Sequence, residues 1–331
     1  MKIIFFGSSN FAIPVLEALK DTEDVVLVVT QPDRKKGRAL KISPTPVKKA
    51  SETMQVEIFQ PDKINSSDSV QYLKKFKPDI FVVASYGEIL KKEVLEIPAM
   101  YPINVHASLL PKYRGAAPIN WAIANGEKKT GVTIIKMNEK MDEGDIILKE
   151  SVSIETDIDA VELSMRLAEK GAELLLRSID LIKGKRERFI KQDNAKATYA
   201  PILKKEDGLI DWKWSADKIY NRVRAFVPWP GCWTCWNEKI IKIWKVSVGA
   251  KVPPHPDPLP QFDWGRGKGE GANLVVLKPG EVNKSDDKGI IVGTGEGFIR
   301  VEELQLEGKR RMKAEEFIRG HKGLDYFYFS I

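Results

Sequence analysis

The stretch KIIFFGSSNFAIPVLEALKDTEDVVLVV (2–29) holds two apolar runs separated by a segment with helical spacing of its apolar residues. The runs KIIFF (2–6) and DVVLVV (24–29) have the length and the β-branched content of buried strands. A strand, a helix and a second strand in this order pack as parallel strands covered by the helix. The stretch therefore predicts an α/β fold.

The rest of the first half continues the same alternation. The segment SSDSVQYLKKFK (66–77) has a helical pattern, and Ser66 or Ser67 is suited to cap its first turn. A long amphipathic helix is expected near 159–183. Further strands are expected at DIFVVAS (79–85), INVH (103–106), TGVTIIKM (130–137) and DIILKESVSI (145–154).

These elements predict a doubly wound, mostly parallel sheet, in which ligands bind beyond the carboxyl ends of the strands. The first strand is followed by Gly7-Ser8-Ser9-Asn10, which is not the G-x-G-x-x-G pattern of dinucleotide-binding turns. A nicotinamide oxidoreductase is therefore disfavoured.

The second half has a different pattern. After a strand and a short helix in IDWKWSADKIYNRVRAF (210–226) comes the turn Pro228-Trp229-Pro230-Gly231, and then short alternating strands. Such strands predict a small antiparallel barrel or sandwich, and an OB-like β-barrel is one candidate. These strands are CWTCW, KIIKIWKVSV, GIIVGTG and GFIRVEELQL.

We expect a first domain at 1–183, a basic linker at 184–205 and a β-barrel domain at 206–331. Residues 251–273 are rich in proline and then in glycine, and we expect them to form an exposed, mobile loop.

Positive charge is concentrated in two segments. Residues 32–50 hold seven basic residues and one acidic residue, and residues 183–205 hold eight and two. The formal net charge of the chain is +7, so the remainder is net negative. Such concentration favours a polyanionic partner, although a solvated loop and a solvated linker explain it equally well.

The length of 331 residues favours two domains, and we expect the protein to be cytoplasmic. No apolar run approaches the roughly 20 residues that cross a bilayer. The start of the chain, MKIIFFGSSNF, lacks the longer apolar run and cleavage site of a signal peptide.

The two cysteines, Cys232 and Cys235, form a single CxxC motif. Tetrahedral zinc requires four ligands, and no second CxxC or HxxxH accompanies this pair. We interpret them as two reduced thiols without a chemical role, and we expect no metal.

Asn104 and His106 stand two residues apart at the end of an expected strand, so their side chains point to the same side. Pro118 follows in a segment of turn-forming residues, where it is suited to the first turn of a helix. Asp142 lies in MNEKMDEGD (137–145), directly before another strand. Taken alone, a histidine at a strand end is more often structural, and Asp-x-Gly-Asp is usually a turn.

Together these motifs resemble the folate-dependent formyltransferases. The signature is INVHASLLPKYRGAAPI (103–119) followed by TGVTIIKMNEKMDEGDI (130–146). TQPDRKKGRALKISPTPVK (30–48), FVVASYGEIL (81–90) and IDWKWSADKIYNRVRAFVPWPG (210–231) resemble the branch of the family that acts on methionyl-tRNA. The resemblance covers nearly the whole chain except 251–273, which looks like an insertion.

The resemblance implies a Rossmann-like catalytic domain that transfers a formyl group from 10-formyltetrahydrofolate to the amino group of methionyl initiator tRNA, for translation initiation. Asn104 and His106 would stabilise the negatively charged oxygen of the tetrahedral intermediate. Asp142 would act as the base, directly or through a water molecule, or would orient His106. No metal or covalent nucleophile is required.

The resemblance also implies two binding surfaces. Folate would contact Ser108, Leu109, Leu110, Pro111, Tyr86 and Gly87, although SLLP is equally a turn that packs two leucines inward. The basic segment corresponds to a loop that approaches the tRNA acceptor stem, where phosphates would pair with Arg34, Lys35, Lys36, Arg38 and Lys41.

Two alternatives stay open at this stage. A formyltransferase acting on a small amine, such as a sugar nucleotide or glycinamide ribonucleotide, would use the same three residues. A non-catalytic RNA-binding protein would explain the charge but not the motifs. The sequence favours a monomer only by default.

Overall fold

A computed structural model describes residues 1–36, 41–249, 277–284, 289–321 and 327–329 of the chain. The expected loop at 251–273 and the predicted RNA contact Arg38 lie outside the described residues.

The described residues form eighteen strands and eight α-helices. The strands are β1 (Lys2–Gly7), β2 (Asp24–Val29), β3 (Arg34–Lys36), β4 (Lys41–Ser43), β5 (Ile58–Phe59), β6 (Ile80–Ala84), β7 (Pro102–His106), β8 (Arg114–Gly115), β9 (Lys129–Lys136), β10 (Ile146–Ser153), β11 (Tyr199–Ala200), β12 (Cys232–Trp236), β13 (Lys239–Val248), β14 (Glu281–Lys284), β15 (Ile290–Gly293), β16 (Phe298–Leu306), β17 (Met312–Lys313) and β18 (Phe327–Tyr328). The helices are α1 (Ala12–Thr22), α2 (Pro46–Thr53), α3 (Ser67–Lys74), α4 (Lys92–Leu95), α5 (Pro118–Ala124), α6 (Ala160–Lys183), α7 (Ala216–Ala225) and α8 (Ala314–Gly320).

The first sheet has the strand order β10-β9-β7-β6-β1-β2-β5. The pairs β2–β5, β1–β2, β1–β6 and β6–β7 are parallel, whereas β9 is antiparallel to β7 and to β10. The chain builds outward from β1 to β5 and then returns to β6 on the other side of β1. The prediction of a doubly wound, mostly parallel sheet is confirmed.

Both faces of this sheet are buried, as the continuous apolar runs require. On one face Ile4, Phe6 and Phe81 pack with Leu73 of α3 and Val94 of α4. Helix α6 covers part of the opposite face: a Cβ atom added at Gly171 would lie 2.9 Å from Val105 of β7. Helices α1 and α6 also contact each other.

Helices α3 and α6, which pack on the first sheet, each begin at a residue whose side chain caps the first turn. The Asp159 carboxylate accepts hydrogen bonds from the backbone N–H groups of Val161 (2.8 Å) and Glu162 (3.0 Å) at the start of α6. The Ser66 hydroxyl accepts one from Ser69 at the start of α3. Ser66, rather than Ser67, is therefore the cap of α3.

The second sheet has the order β12-β13-β16-β15-β14-β18, and β17 pairs with β16. All of these pairs are antiparallel. Alternate residues of β13, such as Ile241 and Ile243, are fully buried, and helix α7 packs on this strand. The expected antiparallel β domain is thus confirmed, in the form of a half-barrel sheet.

Contacts between residues divide the chain into two compact units: Met1–Ile123 with Glu127–Leu203, and Ala124–Gly126 with Lys204–Ile331. Much of the expected linker at 184–205 belongs to the first unit. Ile190 bridges to Ile146 through two backbone hydrogen bonds of 2.8 and 2.9 Å, and β11 pairs with β8. The division at 1–183, 184–205 and 206–331 stays a prediction. Among the described helices none combines the length and apolarity needed to span a membrane.

We predict that Gly131→Ala destabilises the first unit. A Cβ atom at Gly131 would lie 2.1 Å from the carbonyl oxygen of Glu150 and 2.6 Å from Leu109, so β9 and β10 would be forced apart. The free energy of unfolding, measured by urea denaturation, should fall by about 1–3 kcal/mol or more. Lys129→Ala, at an exposed position of the same strand, is the control. Equal stability of the two variants would contradict the prediction.

A second prediction concerns the core of the second unit. The buried Trp212 indole N–H donates a hydrogen bond of 3.1 Å to the hydroxyl of Thr234. Thr234→Val would leave this donor unsatisfied, and we expect a loss of about 1–3 kcal/mol in the same assay. Thr234→Ser keeps the hydroxyl and should lose less; a larger loss in the serine variant would refute the explanation.

Candidate active site

Strand β7 presents its alternate side chains to opposite faces of the first sheet. Val105 faces α6, so Asn104 and His106 point to the other face. Asn104 is partly exposed, whereas His106 is 6 % exposed. This face therefore has an accessible carboxamide beside a buried imidazole, at the carboxyl end of a parallel strand.

The loop between β9 and β10 brings Asp142 to this pair. Its Oδ1 atom accepts a hydrogen bond from Asn104 Nδ2 at 3.3 Å and lies 3.6 Å from His106 Nδ1. Its Oδ2 atom accepts one from the backbone N–H of Gly115 at 2.8 Å. The structure thus places the three predicted residues together, with one carboxylate touching both partners.

The backbone around Asp142 is tightly constrained. Asp142 has a φ of 53°, a left-handed conformation that few non-glycine residues adopt. A Cβ atom at Gly144 would lie 1.7 Å from the carbonyl oxygen of Lys136, so only glycine allows the loop to fold back on β9 here. Asp-x-Gly-Asp is therefore a turn, as its composition suggested. The turn directs the carboxylate of Asp142 toward Asn104 and His106.

The hydrogen bonds of His106 determine which nitrogen faces the site. Nε2 lies 2.9 Å from the backbone carbonyl oxygen of Tyr113. A carbonyl oxygen can only accept, so Nε2 carries a proton and donates it. Nδ1 is then the ring nitrogen directed at Asp142. Any contact between the His106 ring nitrogens and a reacting group has to use Nδ1.

The SLLP segment forms a tight loop over the end of β7. The Ser108 hydroxyl donates to the carbonyl of Lys112 (2.6 Å), and the Thr133 hydroxyl donates to the carbonyl of Ser108 (2.7 Å). Ser108 and Leu110 are fully buried, and Leu110 packs with apolar residues of the first sheet. Leu109 and Pro111 remain partly exposed. Within this motif, only Leu109 and Pro111 present side-chain surface to a ligand.

Tyr86 and Gly87 follow β6 at the same edge of the sheet. Tyr86 is 2 % exposed and packs edge-on against Phe6, with 5.5 Å between ring centroids. Gly87 is exposed, and a Cβ atom there would meet nothing within 4 Å. Gly87, rather than Tyr86, thus leaves open space at the rim.

Two residues that we did not predict also reach the loop of Asp142. The guanidinium of Arg114, which is 1 % exposed, lies 3.3 Å from a carboxylate oxygen of Glu143. The Gln192 side-chain amide donates to the carbonyl oxygens of Asp142 and Gly144, both at 2.7 Å. Gln192 lies 50 residues from Asp142 in the chain, and no sequence pattern links them.

The basic segment near the amino terminus forms a hairpin of β3 and β4. Its base is fixed by a 2.7 Å contact between the hydroxyls of Thr30 and Thr45. Hydrogen bonds from Gln60 and Lys48 hold the pKa of Asp33 below its usual value. Arg34 is exposed, and its guanidinium donates to Gln31 at 3.2 Å. For Lys35, Lys36 and Lys41 only the backbone position is described.

The two cysteines of β12 are not bonded to each other. Both are free thiols; Cys232 is buried and Cys235 is partly exposed. Burial raises the pKa of Cys232 to about 12, so this thiol stays protonated at neutral pH. The part of the chain that the structure describes contains no group of three or more His, Cys, Asp or Glu residues that could hold a metal ion.

The chain is similar to known proteins along most of its length. Residues 1–179 match the family model for formyl transferase, and residues 202–322 match the model for the formyl transferase C-terminal domain. A methionyl-tRNA formyltransferase from Geobacter metallireducens is 44 % identical over 321 residues, covering 97 % of this chain and 96 % of the relative. One from Caldanaerobacter subterraneus subsp. tengcongensis is 44 % identical over 323 residues and covers 97 % of each chain.

A solved structure shares the fold at low sequence identity. The sugar 3N-formyl transferase WlaRD, crystallised in the presence of dTDP and 5-N-formyl-THF, has a TM-score of 0.63 and 19 % identity, covering 94 % of this chain and 99 % of that one. The family models match most of the chain, and the bacterial relatives match it nearly end to end. The chain belongs to the formyl transferase family, in the branch of the methionyl-tRNA formyltransferases.

Proposed function

We propose that this protein transfers the formyl group of 10-formyltetrahydrofolate to the amino group of methionyl initiator tRNA, giving the N-formylmethionyl-tRNA used in translation initiation. The observation that carries the proposal is the meeting of Asn104, His106 and Asp142 on one face of β7. The 44 % identity to methionyl-tRNA formyltransferases over 97 % of the chain supports this choice of acceptor.

The transfer needs no bound metal and no covalent enzyme intermediate. The amine nitrogen of the methionyl group attacks the formyl carbon, a C–N bond forms, and the carbonyl oxygen takes up the negative charge. The bond from that carbon to N10 of the folate then breaks. The proton lost by the amine ends on the departing N10, so the products are formylmethionyl-tRNA and tetrahydrofolate.

Asn104 is suited to stabilise the oxygen that becomes negative. Its amide carries two N–H groups, and Asp142 accepts a hydrogen bond from one of them. The other donates to the oxyanion in our proposal. Because the side chain is already held by Asp142, little reorganisation is needed when charge develops. Oriented donors of this kind contribute roughly 3–4 kcal/mol in acyl-transfer enzymes.

His106 and Asp142 form the second part of the mechanism. Both oxygens of the carboxylate are engaged, Oδ2 by the Gly115 N–H and Oδ1 by Asn104. These contacts favour an orienting role for Asp142, which holds the Nδ1 edge of His106 toward the reacting groups. His106 then stabilises the oxyanion as an imidazolium, donating a hydrogen bond from its Nδ1–H while its Nε2–H is bound to the Tyr113 carbonyl.

The folate co-substrate is assigned to the edge formed by the SLLP loop and the turn after β6. WlaRD, which shares the fold, was crystallised in the presence of a formylated tetrahydrofolate, and this supports a folate site in the present chain. In our proposal Leu109 and Pro111 contact the folate with their exposed surfaces, and Gly87 leaves room for the pterin. Ser108, Leu110 and Tyr86 support this surface from the interior.

The tRNA is assigned to basic residues of the segment 32–50 and to the second unit. Arg34, Lys35, Lys36, Arg38 and Lys41 would pair with phosphates near the acceptor end. Two cationic groups lie over the ring of Trp244 in β13. Lys242 Nζ is 5.5 Å and the Arg311 guanidinium carbon is 5.3 Å from the ring centroid. Basic groups interleaved with aromatic rings suit a nucleic-acid surface. We further propose that the protein acts as a cytoplasmic monomer.

The alternatives are less well supported. A small-amine formyltransferase is represented by WlaRD, but its identity of 19 % shows the common fold alone. A non-catalytic RNA-binding protein would not require Asn104, His106 and Asp142 to converge on one face. Methionyl-tRNA is therefore the acceptor that we propose.

The proposal is tested by incubating the purified protein with 10-formyltetrahydrofolate and methionyl initiator tRNA, with sugar-nucleotide amine and glycinamide ribonucleotide as alternative acceptors. We expect formylmethionyl-tRNA and an equal amount of tetrahydrofolate. Binding of tRNA without product would refute the proposal, as would faster formylation of either small amine.

Replacing Asp142 distinguishes orientation from proton abstraction. In Asp142→Asn we expect kcat to fall by roughly 10²–10⁴-fold while the acidic limb of the pH–rate profile remains. Glu139→Gln makes the same chemical change at an exposed position of the same loop and should leave kcat unchanged. Loss of the acidic limb in Asp142→Asn would show instead that Asp142 is the base.

The role of the basic segment 32–50 is tested with Arg38→Ala. Removing one phosphate contact should raise KM for tRNA and lower the slope of log K against log salt by about one, with KM for folate unchanged. Lys20→Ala, an exposed lysine of α1, serves as the charge-matched control. Identical tRNA kinetics for Arg38→Ala and wild type at moderate salt would remove this contact from the proposal.

A further inference from the structure

The side-chain amide of Gln192 makes four hydrogen bonds that together determine its orientation. Its nitrogen donates to the carbonyl oxygens of Asp142 and Gly144, each at 2.7 Å. Its oxygen accepts from Arg114 Nε at 3.1 Å and Nη2 at 2.8 Å. The reversed amide would set an oxygen against two carbonyls and an NH₂ group against a guanidinium, so only one orientation is possible.

Arg114 ties Gln192 to the rest of the site. Its guanidinium is buried and charged, so it requires hydrogen-bond acceptors around it. Besides Gln192, these are Asn194 at 2.8 Å and the carboxylate of Glu143 at 3.3 Å. Pairing of β8 with β11 fixes the backbone of Arg114 in place. The guanidinium is therefore fixed in position, and its hydrogen bonds hold the side chain of Gln192.

These contacts close a ring around the proposed catalytic carboxylate. The Arg114 side chain holds Gln192, and Gln192 holds the backbone carbonyl of Asp142. The Asp142 side chain in turn accepts a hydrogen bond of 2.8 Å from Gly115, the residue after Arg114. A Cβ atom at Gly115 would lie 2.7 Å from the carbonyl of Ala200, so the backbone of Gly115 packs directly against β11. Backbone and side chain of Asp142 are thus fixed independently.

The left-handed φ of Asp142 explains why such a ring is needed. This conformation is costly for a non-glycine residue, and contacts around the turn offset the cost. Gln192 binds the carbonyl groups of Asp142 and Gly144, which flank the bend of the turn. Without these two hydrogen bonds the turn would be free to relax, and the carboxylate would then move away from Asn104 and His106.

We propose that Gln192 is a positioning residue for formyl transfer, acting through Asp142 by fixing the backbone of its turn against Arg114. The inference rests on the proposed function. It gives the segment 184–205, expected from sequence to be a linker, a direct part in the geometry of the site. Gln192 itself touches no reacting group.

The decisive variant is Gln192→Glu. A glutamate keeps the acceptor for Arg114 and gains a charge attraction, but it loses both donors and sets a carboxylate oxygen against two carbonyls. We expect unfolding temperature to be preserved while kcat falls between roughly tenfold and 100-fold, the range for a small misplacement of a reacting group. KM for tRNA and for folate should stay unchanged. Gln192→Met, which loses donors and acceptor together, should show the same loss of kcat.

Coupling to Asp142 separates positioning from general weakening of the structure. If Gln192 acts through Asp142, then Gln192→Glu combined with Asp142→Asn should be no slower than Asp142→Asn alone. Gln71→Glu is the matched control, because it makes the same chemical change at an exposed position of α3. Its kcat should equal that of wild type.

The outcomes are distinct. Wild-type kcat in Gln192→Glu, a change confined to KM, or multiplied losses in the double variant would each overturn the inference. A wild-type enzyme that forms no formylmethionyl-tRNA would overturn the proposed function instead.

Discussion

The candidate site depends on the alternation of side chains along β7. Five residues, Pro102–His106, give one face to α6 and the other to the loops that carry the remaining polar groups. Val105 fills the space beside Gly171, so the side chains of Asn104 and His106 must point to the other face of the sheet. A shift of one position in the register with β6 and β9 would bury the carboxamide and the imidazole under α6. The correct pairing of a single strand therefore decides whether a site exists.

The sequence predicted the elements whose signal is local. The runs at 2–6 and 24–29 became β1 and β2 with boundaries within one residue, and the helix expected near 159–183 is Ala160–Lys183. Both kinds of element can be recognised in a sequence. A buried parallel strand is apolar throughout, and a long helix has apolar residues at regular helical spacing. The two-residue strands β8 and β11 were not predicted, since two residues cannot show a period. The pairing of β3 with β4 was also not predicted, because the charged residues of these strands are equally typical of a solvated loop.

The candidate site was predictable in part. Spacing and resemblance brought Asn104, His106 and Asp142 together, and the structure places them in contact. The sequence did not reveal that the Tyr86 ring packs into the core, or that the Ser108 hydroxyl is used within its own loop. Nor did it reveal the contact between Arg114 and Gln192, which are 78 residues apart. Motifs show which residues occur together along the chain, whereas the supporting contacts arise only when distant segments pack.

The pairing of β8 with β11 has a consequence for the order in which the site is completed during synthesis. A nascent chain that has emerged as far as Lys183 already contains Asn104, His106 and Asp142, and it has every strand of the first sheet. It still lacks the partner of β8 and the amide that holds the turn of Asp142. Pairing β8 with β11 closes a loop whose ends are 85 residues apart, and this costs conformational entropy. The pairing can form only after Ala200 has been synthesised. The contacts that hold the turn of Asp142 can thus all form only when the segment through β11 has been made.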